Sequence, residues 1–249
     1  MKKEYYSEYY YLERSHWWFR ARLQILEDQI QRNIQLPESP KILNAGVATG
    51  ASSFMLEKFG EVTSLEYDKD CCEFLEEVVK MEVINGSLTE LPFEDNSFDM
   101  VCAFDVVEHI EDDALALREI YRVLKKDGYV FLTVPMFQML WSEHDVINHH
   151  FRRYTLPGIA KVTYEPGFKP VFRSYFNFWM FLPILVVRTL GNIFKRKKKE
   201  GSTGSDFEVM KSNSFLNTLL FYLFRSESTF LKRKFSLPFG VSGLIIGKK

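Results

Sequence analysis

KILNAGVATG, residues 41–50, is a short apolar run that breaks into a glycine-bearing turn, and its reading decides the fold. Downstream, a second apolar run, VTSL (62–65), ends on an acid, Glu66. Strand, glycine turn, helix, strand, acid is the order in which a chain holds a nucleoside-containing cofactor against bare backbone. Glycine permits close approach, the following helix offers unpaired N–H groups, and the acid can accept from both ribose hydroxyls.

Outward from this unit, strands and helices alternate. Apolar positions Trp18, Leu23, Ile25, Leu26, Ile30 and Ile34 recur at helical spacing over about 17–34, ended by Pro37 and Pro40. Strands are expected at 42–44, 61–66, 83–84, 98–104 and 129–134. Helices are expected at 51–59, with Gly60 as its stop, at 69–80, and at 114–124, capped by Asp127-Gly128. The near-continuous apolar run 98–104 suits a parallel strand buried on both faces, and the alternation predicts a doubly wound α/β sheet. After Pro135 a polar, histidine-rich loop (138–154) leads to a helix started by Thr155 with Pro157 in its first turn. Gly167 ends that helix, and a strand is expected at 170–176. The last strand is expected at 241–246, so residues 177–239 read as an insertion before it.

The chain has 249 residues, 46% of them hydrophobic, enough for one large α/β domain. A net charge of −1 gives no electrostatic reason to expect nucleic acid as a partner. Three cysteines, two of them adjacent (Cys71, Cys72), make neither a disulfide framework nor a metal-ligand spacing, which points to a reducing, cytoplasmic setting. The N-terminus does not read as a signal peptide.

The glycine turn is degenerate. Alanine stands at 48, where a second glycine is usual, so a strict dinucleotide fingerprint is absent and hydride chemistry is disfavoured. No GxxxxGK[ST] element is present. Its context is more specific: residues 86–110, GSLTELPFEDNSFDMVCAFDVVEHI, and VLKKDGYVFLTVP (123–135) follow it. Over about 40–135 the chain resembles class I S-adenosylmethionine-dependent methyltransferases, type 11, most closely the subgroup typified by ubiquinone- and menaquinone-biosynthesis enzymes. The resemblance implies a Rossmann-like, mostly parallel seven-stranded sheet with an antiparallel last strand, and S-adenosylmethionine as cofactor. It puts Gly46, Val47, Ala48 and Gly50 under the methionine part, counts Asn44 among the cofactor-binding residues, and sets Glu66 on the ribose and Tyr67 beside the adenine. Ser87 and Leu88 would lie at the adenine edge, with Phe104 and Asp105 near the sulfonium. Asn44, Ala48 and Ser87 depart from the family's usual residues, which leaves a second reading: a non-catalytic module of this fold serving as an assembly partner.

On the acceptor side, His109, His144, Asp145 and His149 are candidate catalytic residues, one histidine being oriented by Asp145 as a base. Arg152, Arg153 and Tyr154, with Trp18 and Arg20 of HWWFRAR (16–22), are candidate substrate contacts. No metal is expected, since no fourth ligand is evident. The resemblance places a helical lid over 1–36 and the core at 37–176 plus 240–249. The segment 177–239 carries two aromatic stretches, FNFWMFLPILVV (176–187) and FLNTLLFYLF (215–224), each trailed by basic residues, KRKKK (195–199) and Lys232–Lys234. They are too short to span a bilayer and suit either interfacial contact with the inner membrane face through 176–199 and 215–234, or a cap on the core. The expected activity is methyl transfer to a small-molecule or lipid-linked acceptor, saccharide- or quinone-like, at oxygen.

Overall fold

The computed structural model describes residues 3–193, 214–232 and 235–249. Helices α1 (Lys3–Ser15) and α2 (Trp17–Asn33) precede the alternating unit. The unit runs β1 (Lys41–Ala45), α3 (Ala51–Leu56), β2 (Glu61–Glu66), α4 (Lys69–Phe74), β3 (Ile84–Asn85) and β4 (Phe98–Phe104). It continues with α5 (Asp113–Val123), β5 (Leu124–Pro135), α6 (Glu143–Ile147), α7 (Leu156–Tyr164) and β6 (Lys169–Phe176). The described chain closes with α8 (Phe181–Ile193), α9 (Ser214–Arg225) and β7 (Ser242–Lys248).

The seven strands form one sheet in the order β3-β2-β1-β4-β5-β7-β6. β1 is parallel to β2 and β4, and β7 lies antiparallel between β5 and β6. This is the expected Rossmann-like sheet, mostly parallel with an antiparallel last strand. Its order reverses between β1 and β4, and in open α/β sheets ligands bind at the strands' carboxyl ends beside such a reversal. Successive β1 and β4 residues face opposite sides. Leu43, Val101 and Ala103 pack with Leu117 and Ile120 of α5 and Ile159 of α7. Ile42, Met100 and Cys102 pack with Ile25 and Leu26 of α2, Leu56 of α3 and Phe224 of α9.

Several elements differ from expectation. α1 lacks a clean period in its tyrosines and is fixed instead by tertiary contacts, with Tyr6 buried against Phe74. The helix over 114–124 is not capped by Asp127-Gly128. It ends at Val123 because Leu124 turns extended and pairs with Phe98. Asp127 and Gly128 instead form a bulge in β5, tied to Lys249 by reciprocal backbone bonds. α4 continues from Leu75 to Val79 as a wider π turn rather than as α-helix. The 176–187 run divides: Phe176 is fully buried at the end of β6, and α8 starts at Phe181. The 195–199 basic run, the 201–206 linker, and Arg233 and Lys234 lie outside the described residues.

α2 and α9 are joined closely. Trp17 N–H donates to Asn217 Oδ1 at 2.9 Å, Arg225 pairs with Asp28 at 2.7 Å, and the Trp18 and Phe224 rings stack at 6.3 Å.

Candidate cofactor cleft and acceptor wall

At the end of β1 the backbone must turn sharply beneath a ligand. Gly46 has φ +72°, its N–H donates to Leu65 O at 2.8 Å, and a Cβ there would lie 2.4 Å from Val106 Cγ2. Only glycine meets both demands. Ala48 is also left-handed, at φ +47°, a conformation that costs an L-residue ~1–2 kcal/mol. Glu66 stabilises it: Oε2 accepts from Ala48 N–H at 3.0 Å, and Oε1 accepts from Tyr67 N–H and Asp68 N–H at 2.9 and 3.0 Å. Burial raises the Glu66 pKa, and the three backbone donors partly offset that rise.

A cleft of about 790 Å³ opens from Gly46, Val47 and Ala48 past Phe104 and Asp105 to Glu108, His109, His144, His150 and Arg153. Trp18 and Arg22 of α2 cover it from one side, and Met180, just before α8, with Ile184, Val187 and Arg188 of α8 from the other. A second cavity, about 740 Å³, lies at the β2–β3 edge, away from these groups. Asp105 sits at φ +57° at the tip of β4, held by Arg22 Nη2 at 2.7 Å and Thr133 Oγ1 at 2.9 Å.

The remaining expected residues divide. Asn44 is buried, with Nδ2 donating to Ser52 and Ser53 at 2.9 Å, and fastens β1 to α3 outside the cleft lining. Gly50 is the left-handed N-cap of α3. Tyr67 is 77% exposed. Ser87 bonds Thr89 at 2.7 Å, and Leu88 packs in the core. Tyr154 faces α5, donating to Asp113 at 2.7 Å, and Arg152 bonds Glu111 O and Asp113 on the outside. Arg20 lies over the Phe221 ring, 5.0 Å from its centroid. His149 is exposed and does not line the cleft.

Asp145 orients a histidine, but that histidine is His150 and not His144. His150 Nδ1 lies 2.9 Å from Asp145 Oδ1, which also accepts from Arg153 Nε at 2.7 Å. Ser142 caps α6 reciprocally with Asp145. Desolvation works to raise the Asp145 pKa, but the bonds from His150 and Arg153 outweigh it and hold the carboxyl well below the usual carboxylate range. His109 is open to the cleft, yet enclosure of the rest of its ring and the neighbouring His150 lower its pKa to about 4. It is therefore neutral at physiological pH.

Sequence reasoning missed Glu108, Arg22 and His150 as site residues. Glu108 offered a signal: an acid inside the apolar run VVEHI has no place in a core unless the core opens there. Glu108 is 0% exposed, and neither carboxyl oxygen has a hydrogen-bond partner in another residue. Burial and the nearby Asp105 raise its pKa well above the ordinary value.

S-adenosylmethionine fits this arrangement. The Gly46 turn has no room for a side chain, the Glu66 carboxylate keeps unused acceptor capacity beyond its three backbone donors, and the cleft continues past the turn. Residues 43–132 match the family described as a methyltransferase domain. The demethylmenaquinone methyltransferase of Staphylococcus aureus is 30% identical over 128 residues, 46% of this chain and 53% of that protein. The chain spans about half the length of the curated relatives it matches. Among solved structures, an S-adenosylmethionine-dependent methyltransferase of Thermotoga maritima is 17% identical with a TM-score of 0.60, covering 99% of this chain and 95% of that one. Phosphoethanolamine N-methyltransferase 2 of Haemonchus contortus, solved with S-adenosyl-L-methionine, is 19% identical with a TM-score of 0.56, over 91% and 52%. These two likenesses establish the fold, and the family match lies on the segment that carries the Gly46 turn, Glu66 and Asp105. Residues 43–132 thus match a methyltransferase domain, within a chain whose fold is that of solved S-adenosylmethionine-dependent methyltransferases.

Proposed function

We propose that the chain transfers a methyl group from S-adenosylmethionine to an oxygen of a small-molecule or lipid-linked acceptor. One observation carries the reading: the Gly46–Ala48 turn and the Glu108–His109–His150–Arg153 wall line the same cleft. Gly46, Val47 and Ala48 would hold the methionine part, Glu66 the ribose, and Asp105 the side facing the amino acid group. The bound cofactor supplies a methyl group on a good leaving group, so the protein's task is alignment and exclusion of water. An acceptor hydroxyl must also lose a proton, and the polar groups converging at the far end of the cleft suit that task.

The apolar part of the acceptor would lie along Met180, Pro183, Ile184 and Val187. Val187 stands at the mouth of the cleft and is 69% exposed. On the outside, Leu182 and Val186 of α8 and Phe215, Leu219 and Tyr222 of α9 are exposed too. No helix among the described residues is long and apolar enough to cross a membrane. The composition instead favours peripheral contact with an anionic leaflet, with KRKKK (195–199) following α8 in the sequence.

Calorimetry with S-adenosylhomocysteine tests the cofactor half, and micromolar binding is expected. Transfer of radiolabelled methyl to a lipid extract, compared with a water-soluble metabolite extract, tests the acceptor. Binding without transfer to either extract would favour the non-catalytic assembly module. Co-flotation with anionic but not neutral vesicles is expected at low salt, and its absence would remove the membrane contact.

A further inference from the structure

Glu108, His109 and His150 each offer one ligand atom, and the three atoms lie within 4.8 Å of one another. A buried carboxylate whose oxygens have no partner in another residue is costly unless something compensates it. Here it stands beside two imidazoles, and His150 is held through Nδ1, 2.9 Å from the Asp145 carboxylate. A carboxylate that fixes one ring nitrogen and leaves the other with its lone pair is how proteins orient histidine ligands toward a metal. The two segments are pinned together, with Phe151 N–H donating to Glu108 O at 2.8 Å and the imidazole centroids 4.5 Å apart and perpendicular. The adjacent arginines already have carboxylate partners, Arg22 with Asp105 and Arg153 with Asp145, both at 2.7 Å.

We propose that Glu108, His109 and His150 form a binding site for a divalent transition-metal ion at the acceptor end of the cleft, with Asp145 as the positioning residue behind His150. Two imidazoles and a carboxylate suit Zn²⁺, Mn²⁺, Fe²⁺ or Co²⁺ better than Mg²⁺ or Ca²⁺, which favour oxygen ligands. Three protein ligands leave positions open on the cleft side, where an acceptor oxygen would bind. A hydroxyl on such an ion would ionise more readily: its proton would pass to water, its oxygen would keep the electron pair that forms the new C–O bond, and the cofactor's methyl–sulfur bond would break with its pair staying on sulfur, so that the neutral thioether leaves. The use of the ion rests on the methyltransferase reading, but the site itself does not.

The test is titration calorimetry of the full, chelator-treated chain with Zn²⁺, Mn²⁺ and Mg²⁺ separately, with metal content measured after gel filtration. One Zn²⁺ or Mn²⁺ per chain is expected, with Mg²⁺ far weaker. E108Q and H150A should each weaken binding at least 100-fold, and D145N about 10-fold to 100-fold through loss of the His150 orientation. Each variant is also titrated with S-adenosylhomocysteine, and retained cofactor binding certifies a folded cleft. H109A stands in for any variant that fails this control. Wild-type protein that binds none of the three ions at millimolar concentration would overturn the proposal. So would folded E108Q and H150A that bind metal as wild type does. Metal binding without S-adenosylhomocysteine binding would instead sink the functional reading and leave the metal site standing.

Discussion

Replacing Glu66 by Gln removes the charge while keeping the shape, and the structure sets the size of the effect. The carboxylate has roughly four acceptor directions, and three are occupied by its own backbone donors, two on Oε1 and one on Oε2. The Gln amide does least damage with its NH₂ toward Ala48, where a single donor is lost. Without ligand the variant therefore loses one hydrogen bond, about 1 kcal/mol, and is relieved of a desolvated charge, so its stability should change little. With ligand it also loses the charge-assisted bond from a ribose hydroxyl, about 1.5–3 kcal/mol. The backbone bond is lost with and without ligand and cancels, so only the ribose term bears on affinity, and about 1.5–3 kcal/mol corresponds to a loss of roughly 10-fold to 100-fold. Calorimetry with S-adenosylhomocysteine at pH 7.5 reads the affinity, and chemical denaturation of the apo-protein reads the stability. An E66Q variant that unfolds like wild type and binds within threefold of it would refute the assignment of Glu66 to the ribose.

Three further outcomes are expected. Ala48→Gly removes left-handed strain at φ +47° and adds chain entropy, so thermal denaturation should show a net gain of about 0.5–1 kcal/mol; a drop in Tm contradicts it. Gly46→Ala meets both the wrong φ and Val106 Cγ2 at 2.4 Å and should cost about 3 kcal/mol by denaturant titration, with Val106→Ala in the same chain restoring only the packing part. Burial pushes the Glu227 carboxyl up to about 7 from an ordinary 4.5. Between those values the folded chain binds a proton that the unfolded chain does not, so this residue's stabilising share is full below pH 4.5 and is lost as pH rises to 7. Glu227→Gln should flatten the stability–pH curve across that window by about 3 kcal/mol, and parallel curves for the two proteins would contradict it.

The sheet was legible because its signals are local. Residues 98–104 are apolar but for Asp99 and 61–66 end on an acid, and both strands fall where composition puts them. The Gly46 turn announced itself for the same reason. What sequence could not supply was which long-range partner each polar residue takes. Asp145 could orient any of three nearby histidines, and only the fold of α6 selects His150. Arg152 and Tyr154 alternate with Arg153 along an extended segment, so they point away from the side that Arg153 shares with the cleft. Glu108 is marked locally as an acid inside an apolar run, but that its oxygens have no partner in another residue depends on the side chains the fold brings beside it. α1 has no clean apolar period, and α6 is a five-residue helix held by one capping box.

The junction between α2 and α9 ties the first helices of the chain to a segment near its end. Trp18 and Arg22, which cover the cleft, ride on the same helix whose Trp17 and Asp28 are fastened to Asn217 and Arg225. A tilt of α2 that widens the mouth of the cleft must drag α9 with it or break those bonds. The exposed flank of α9 and the interior of the cleft are then the two arms of one lever. Whatever seats against the flank biases the opening of the cleft, and by linkage an acceptor filling the cleft changes, by the same free energy, how firmly the flank is held.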